Sequence, residues 1–459
     1  MALQVDPSWR RVHMVGMGGA GMSAIARVLV QAGVTVSGSD VRESAVLEGL
    51  RAMGVRADVG HRAHQAEGAD VLIHTNAVAP GNPEVEFART NGTPILLRGE
   101  ALAKLVGGLR TIAVSGTHGK TTTCGMIATV LASAGESPTY LLGSDLAGRG
   151  SGGHLGEGDV AVVEADEAYR SFLWLKPSIA VVTNIDRDHV DHYDDWEALK
   201  EAFSSFTAGS TEAVIVCADN TRAMKVVGSP ATSTYGFAEG ASVRAVALES
   251  GPAGSDFRLF VDGIDQGPVH LQVSGRHNVQ NARGAAAACL ALGLDVTTVS
   301  SGLASFRGVS RRFEYRGMFE GAHLVDDYAH HPAEIEATLS AARWGPWKRV
   351  VAVFQPHLYS RTQALWKDFG ASLSAADVVV VTDVYGARED PIPGVSGKLI
   401  VDAICDSAPG MKVAYAPRLD DAARYVRSIV QPDDLILTLG AGDITTLHDR
   451  LIGDSPVGR

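Results

Sequence analysis

Two stretches of this chain combine glycines with residues able to hold phosphate. Ser115-Gly116-Thr117-His118-Gly119-Lys120-Thr121-Thr122 follows a β-branched run, TIAV, and opens a helical period. At a strand-to-helix turn, backbone N–H groups and a lysine ammonium can surround the outer phosphates of a nucleotide while a threonine hydroxyl meets Mg²⁺. The stretch departs from the strict P-loop pattern because Val114 stands where the first glycine would be. A lysine set between Gly and Thr at a helix start is nonetheless rarely structural, so Gly116, Thr117, His118, Gly119, Lys120, Thr121 and Thr122 are read as an ATP site. The second stretch is Gly16-x-Gly18-x-x-Gly21, with Gly19 inside it, and Asp40 closes the next apolar run. That is the dinucleotide fingerprint, which holds a pyrophosphate on backbone amides. A turn kept glycine-rich for tight packing alone has the same spacing, and the pattern names no nucleotide.

Acids and imidazoles follow further apolar runs. Glu164, Asp166 and Glu167 end one, and Asn184, Asp188 and His189 follow the next. In an α/β sheet such carboxyl ends converge on the phosphate-binding edge. A carboxylate and an imidazole beside phosphates suit Mg²⁺, and Glu164 with His189 is the favoured metal pair, joined by Thr121. Asp188 and Asp191 serve as well for helix caps. His330 and His331 follow Asp326-Asp327, and His357 with Arg361 follows RVVAVF; two basic loops at one sheet edge make an anion-binding surface. No G-x-S-x-G or papain-like signature is present, which disfavours covalent catalysis by the protein.

These residues need a scaffold, and the chain restarts the same grammar three times: an apolar run, a polar or glycine-rich turn, a helical period. The restarts begin near Arg11, Thr111 and Ala322. With breaks near Gly107–Gly108 and Arg311–Arg312, they predict domains at 1–107, 108–311 and 312–459, in keeping with 459 residues at about 100–200 per domain. Alternating strands and helices predict α/β architecture with mostly parallel sheets. The runs VRAVALES, FRLFVDG and VHLQVSG (about 243–273) read as antiparallel strands added to the central domain. Glycine is abundant, 51 residues, as many tight strand-to-helix turns require.

Composition excludes other classes. Hydrophobic residues make up 46% and charged residues 20%, which is ordinary for a globular chain. Forty Lys and Arg against 52 Asp and Glu give −12, unfavourable for a nucleic-acid partner. No leader-like start and no membrane-length apolar run is present, so the chain is read as cytoplasmic. Cys124, Cys217, Cys289 and Cys405 lie far apart and read as buried thiols rather than as disulfides or a zinc site.

Taken together, GMGGAGM (16–22), SGTHGKTTT (115–123), EADE (164–167), NIDRDHVDHY (184–193), GRHNVQNA (275–282), RRF (311–313), DDYAHHP (326–332), FQPHLYSRT (354–362) and GAGDI (440–444) resemble the Mur ligases, in order, over about residues 12–450. The resemblance implies a Rossmann-like N-terminal domain for a UDP-sugar, a central P-loop-type ATPase domain and a Rossmann-like C-terminal domain facing the amino acid. It implies ATP-dependent amide formation through an acyl phosphate, with ATP and Mg²⁺ as cofactors, UDP-N-acetylmuramate and L-alanine as substrates, and a monomer or homodimer. It puts a UDP pyrophosphate, and not NAD, on Gly16, Gly18, Gly19, Gly21 and Asp40. Lys120 would meet the ATP phosphates, Thr121, Glu164 and His189 would hold metal, and His277, Asn278 and Asn281 would lie by the adenine. Arg312, Tyr328, His330 and Arg361 would face the sugar's carboxylate, the phosphate in transfer or the amino acid, which makes Lys120, His189, His330 and Arg361 the catalytic candidates.

The chain departs from its family at several points. Phe203 stands where sibling ligases carry a carbamylated lysine, with Lys200 a turn earlier, as befits the first ligase of the series. Ala168, Tyr169, Ala329 and Leu358 replace more usual residues. A ligase attaching a preformed tripeptide to the same sugar nucleotide shares the P-loop and EADE blocks. An NAD-dependent dehydrogenase and a non-catalytic ATP switch are the readings from outside the ligases.

Overall fold

Short β-branched runs become buried parallel strands here because helices cover both faces of each sheet. The computed structural model describes residues 3, 5–148, 150–186, 193, 195–227, 232–251, 254–343, 345–387 and 389–453. Its strands form three sheets.

The first sheet holds β1 (Arg11–Val15), β2 (Thr35–Asp40), β3 (Arg56–Val59), β4 (Val71–His74) and β5 (Ile95–Leu97) in the order β3-β2-β1-β4-β5, all parallel. Strand order reverses at β1, which is where a doubly wound sheet opens its ligand crevice. The helices are α1 (Ala20–Gln31), α2 (Ala45–Ala52), α3 (Pro83–Thr90) and α4 (Arg98–Val106).

The second sheet contains β6 (Arg110–Ser115), β7 (Thr139–Leu141), β8 (Gly153–His154), β9 (Val160–Glu164), β10 (Ile179–Val182), β11 (Ala213–Cys217), β12 (Ser233–Gly236), β13 (Val243–Gly251), β14 (Gly254–Val261) and β15 (Ile264–Leu271). Their order is β15-β14-β13-β12-β11-β10-β6-β9-β7-β8. Helices α5 (Lys120–Ser133), α6 (Trp196–Ala208), α7 (Thr221–Val227), α8 (Arg276–Leu292) and α9 (Val296–Ala304) accompany it. α5 is buried along Thr121–Leu131, so the helix that starts at Lys120 is locked into the core and its first turn is rigidly placed. Of the three runs read as antiparallel, β14 and β15 pair that way, and β13, β14's other neighbour in the sheet, also pairs parallel with β12 on its far edge, Tyr235 opposite Val243.

The third sheet has β16 (Glu314–Phe319), β17 (Ala322–Asp327), β18 (Arg349–Phe354), β19 (Val378–Val381), β20 (Lys412–Tyr415) and β21 (Asp434–Leu439), ordered β16-β17-β21-β18-β19-β20. α10 (Pro332–Ala342), α11 (Tyr359–Leu373), α12 (Lys398–Ser407), α13 (Leu419–Ile429) and α14 (Leu447–Gly453) complete it. β16 is the antiparallel edge strand and lies outside the sequence-based expectation. Its Tyr315 and Met318 face solvent, so EYRGMF carries no clean two-residue alternation.

The chain packs as two compact units. The larger runs to Val309, and the smaller begins at Ser310 and includes residues 250–253 and 274–276. Cys124, Cys217 and Cys289 are buried thiols, but Cys405 on α12 is exposed, contrary to expectation. Among the described residues no helix is long and apolar enough to cross a membrane.

Candidate active site

β6 ends at Ser115 and α5 begins at Lys120, so the P-loop-like turn occupies residues 116–119. Gly116 and Gly119 take φ of +133° and +85°, a backbone that side chains with a Cβ avoid. The turn is tied to the strand end of β10. Thr117 N–H donates to Asn184 O (3.1 Å), His118 N–H to Asn184 Oδ1 (2.8 Å), and Thr183 Oγ1–H to His118 O (2.6 Å). Asp186 N–H in turn donates to Thr117 Oγ1 (2.9 Å). Asn184 thus shapes the loop, a role the sequence reading did not give it. Ser115 Oγ is buried without a hydrogen-bond partner at the start of the same turn.

Lys120 Nζ donates to Gly116 O (2.6 Å) and to both carboxylate oxygens of Glu167 (3.1 and 3.0 Å). Burial works against its charge, but the carboxylates of Glu167, Asp166 and Glu164 outweigh that and hold its pKa above the ordinary lysine value. Lys120 is therefore a firm cation. Glu167, itself buried, stands among the acids of EADE expected at the phosphate-binding edge, but its pairing with Lys120 was not expected. Tyr193 Oη–H donates to Glu167 O (2.7 Å), and burial raises the phenol's pKa.

Glu164 ends β9 and accepts Gly143 N–H on Oε1 (2.5 Å). Thr121 and Thr122 sit buried in the first turn of α5. His189, Asp188 and Asp191 lie outside the described residues. Among the described residues no three His, Cys, Asp or Glu side chains group as metal ligands.

α8 carries His277, Asn278 and Asn281. Asn281 reaches the loop itself: a Cβ on Gly119 would lie 2.5 Å from its Oδ1. It therefore lies beside the lysine-bearing turn. His277 is half-buried, and desolvation pushes its imidazole pKa down to about 4, so it is neutral at pH 7.

In the N-terminal sheet the first glycine turn mostly serves its own shape. Gly16 and Met17 N–H donate to Ser39 O (2.9 and 3.1 Å), Gly19 N–H to Gly16 O (3.3 Å) and Gly18 N–H to Asp40 Oδ2 (2.8 Å). Asp40 is a clamp on the turn. The amides left to a ligand are those opening α1, residues 20–22, which have no intrahelical acceptor. Gly21 lies close under Arg98: a Cβ there would lie 2.7 Å from an Arg98 guanidinium nitrogen. Beneath the turn, Glu84 accepts from His13 Nε2 (2.8 Å), Ser39 Oγ (2.7 Å) and His61 Nδ1 (3.1 Å). Burial opposes its charge, yet these bonds keep its pKa below the usual carboxylate value.

The C-terminal unit brings its predicted residues together. Arg311 and Arg312 both stack on the Tyr328 ring (5.1 and 5.4 Å). Tyr328 and His330 ring centres are 5.0 Å apart, and His330 and His357 are 5.8 Å apart. Burial lowers the His330 pKa, with Glu334 opposing and the Arg361 charge assisting. Arg312 Nε is buried without a hydrogen-bond partner. Asp327 is structural. It accepts Phe313 and Ala329 N–H (2.8 Å each), and burial raises its pKa to about 6. Gln355, also missed, fastens the GAGDI loop by accepting Ile444 N–H (3.1 Å) and donating to Asp443 (2.7 Å).

Comparison with known proteins agrees with this arrangement. Residues 11–109 match the description "Mur ligase family, catalytic domain", residues 114–289 "Mur ligase middle domain" and residues 311–442 "Mur ligase, glutamate ligase domain". The chain is 45% identical over 448 residues to UDP-N-acetylmuramate–L-alanine ligase of Rubrobacter xylanophilus, covering 96% of this chain and 99% of that one. It is 45% identical over 442 residues to the enzyme of that name from Solidesulfovibrio magneticus, covering 95% and 96%. Among solved structures, the UDP-N-acetylmuramate-alanine ligase of Thermotoga maritima superposes with a TM-score of 0.83 at 30% identity, covering 96% and 98%. A murein peptide ligase from Psychrobacter arcticus shares the fold, with a TM-score of 0.72 at 23% identity, covering 98% and 100%.

Proposed function

We infer that this chain, which belongs to the Mur ligase family, is an ATP-dependent ligase that joins L-alanine to the lactyl carboxylate of UDP-N-acetylmuramate in peptidoglycan precursor synthesis. The observation that carries the reading is Lys120, a firm cation at the start of a buried helix, facing the carboxylates that end β9, in a chain that L-alanine ligases match along its length. The tripeptide ligase, the dehydrogenase and the ATP switch are not favoured by those relatives.

The chemistry follows from the carboxylate. An amine does not displace oxide, so one lactyl oxygen first attacks the γ-phosphorus of ATP, and the bond to the bridging oxygen of ADP breaks. The alanine nitrogen then attacks the acyl carbon, and the C–O bond breaks to release phosphate. Lys120 neutralises charge on the phosphoryl oxygens as it moves. Glu164 supplies a hard anionic oxygen, Thr121 a hydroxyl and the buried Ser115 hydroxyl an unpaired polar group, a donor set that fits Mg²⁺ and phosphate. Mg²⁺ bound by Thr121, Glu164 and His189 would supply further charge neutralisation. Asn281 orders the nucleotide beside Gly119. In the C-terminal unit Arg312, with its unpaired Nε, His330 and Arg361 present cationic and hydrogen-bonding groups to a carboxylate or phosphate. Dependence on ATP and a nucleotide sugar supports a cytoplasmic location for this reaction.

The acyl phosphate has a direct test. With ¹⁸O in the lactyl carboxylate, one labelled oxygen should appear in the released phosphate. Phosphate free of label would exclude the acyl phosphate.

A further inference from the structure

Arg98 is the first residue of α4 in the N-terminal sheet, yet its side chain serves two other places. Its guanidinium lies across Gly21 at the start of α1, one nitrogen 2.7 Å from where a Cβ would be. The same guanidinium donates to Asp166 Oδ2 (3.2 Å) and Ser171 Oγ (3.5 Å), in and after the EADE segment. Gly99 adds to the close approach, since a Cβ there would meet Ser171 at 2.9 Å. A cation in the first turn of α4 opposes that helix's own dipole. The N-terminal and central sheets belong to one compact unit, so the span from Gly21 to Asp166 lies within it. A shallow surface depression beside the guanidinium is lined by Arg98, Leu102, Glu164, Asp166 and Phe172.

We propose that Arg98 is a binding and positioning residue shared by the two nucleotide sites. Its guanidinium meets the diphosphate of the sugar nucleotide at the start of α1 and, through Asp166, couples that occupancy to the metal-binding edge of the central sheet. The proposal rests on the reading of residues 16–22 as the sugar-nucleotide site. The physical reason is competition for one fork of donors: a diphosphate carries more charge than one carboxylate and binds the guanidinium bidentately. Drawing Arg98 toward α1 loosens its hold on Asp166, two residues from Glu164, when the sugar nucleotide arrives. Binding at either site then alters affinity at the other, reciprocally.

Calorimetry of the full chain tests this with UDP-N-acetylmuramate and with UDP, each with and without Mg²⁺ and a non-hydrolysable ATP analogue. R98Q should weaken both ligands tenfold or more, and R98K should fall between it and wild type. D166N, which releases the guanidinium, should leave affinity unchanged or tighten it a few-fold. The wild-type Kd should change at least threefold on adding the ATP analogue, and this change should vanish in R98Q and D166N. If R98Q binds UDP and UDP-N-acetylmuramate within twofold of wild type while its melting temperature falls, Arg98 is only a packing staple and the proposal is overturned. A loss confined to UDP-N-acetylmuramate would overturn the diphosphate contact, and a wild-type Kd indifferent to the ATP analogue would overturn the coupling. Failure of the wild type to bind UDP-N-acetylmuramate would instead sink the site reading beneath it.

Discussion

The glycine turns at residues 16–21 and 116–119 share a backbone plan, a parallel strand feeding a helix, but distribute charge in opposite ways. The first receives its acid, Asp40, from the end of the neighbouring β2, where it is clamped on Gly18, and receives its cation from Arg98 on another helix. The second carries its own cation, Lys120, and receives its acids, Glu164, Asp166 and Glu167, from the neighbouring strand. A lysine surrounded by metal-binding acids suits a phosphoryl group that moves, because cation and metal can neutralise charge as it develops. On the proposed reading the same local fold serves binding in one place and transfer in the other, and the difference lies in which element brings the cation.

Breaking the second turn should give the largest effect. Lys120→Ala should lower kcat by about a hundred- to a thousandfold, since one lost charge contact to a transferring phosphoryl group costs about 3–4 kcal/mol. Calorimetry should find UDP-N-acetylmuramate still bound within about threefold of wild type; loss of sugar-nucleotide binding in a folded variant would erase the division of labour. Glu164→Gln keeps the shape and removes the anionic oxygen, so turnover should fall steeply and half-maximal rate should need more Mg²⁺. A magnesium titration checks it, and a wild-type curve would reduce Glu164 to a clamp on Gly143.

Two alanine substitutions sharpen the comparison. Gly119→Ala forces a Cβ into the left-handed region and against Asn281, a local cost of about 1–2 kcal/mol for the backbone alone. The KM for ATP should rise and thermal stability should fall together. Gly19→Ala meets only Gly16 O at 3.6 Å and keeps an ordinary φ of −70°, so the melting temperature should hold. Any weakening of sugar-nucleotide binding in Gly19→Ala then reports ligand approach at that face.

The smallest effect is confined to acid. His277 has a folded pKa of about 4 against 6.5 when unfolded, so the unfolded state binds the extra proton first. Its contribution to stability is complete above about pH 6.5 and is lost as pH falls toward 4. His277→Gln should flatten that part of the stability–pH curve and leave pH 8 unfolding little changed, as denaturant titrations at the two ends would reveal.

Both turns were legible because glycine spacing, β-branched runs and a lysine at a helix start are local signals. β16 was not, since an edge strand with Tyr315 and Met318 in solvent leaves no alternation to read. The parallel pairing of β12 with β13 joins the added strands to the central sheet, and no local pattern fixes it. Glu167, Asn184 and Gln355 act through partners 47, 66 and 89 residues away in the chain, contacts that only the folded sheets create. Arg98 was invisible for the same reason: by sequence it is an unremarked basic residue after LL, and its meaning comes from Gly21 and Asp166. The exposed Cys405 shows the limit of composition, because a thiol's burial depends on which face of α12 carries it.

The central claim, a ligase that activates the sugar's carboxylate for one small amino acid, is tested most directly by phosphate release. ATP, Mg²⁺ and UDP-N-acetylmuramate would be held constant while L-alanine, glycine, L-serine and the cell-wall tripeptide are varied. The account predicts the highest kcat/KM for L-alanine, with glycine and L-serine lower by an amount a single methyl or hydroxyl can supply, about 1–3 kcal/mol. A higher kcat/KM for the tripeptide, or no phosphate released with any donor, would contradict it.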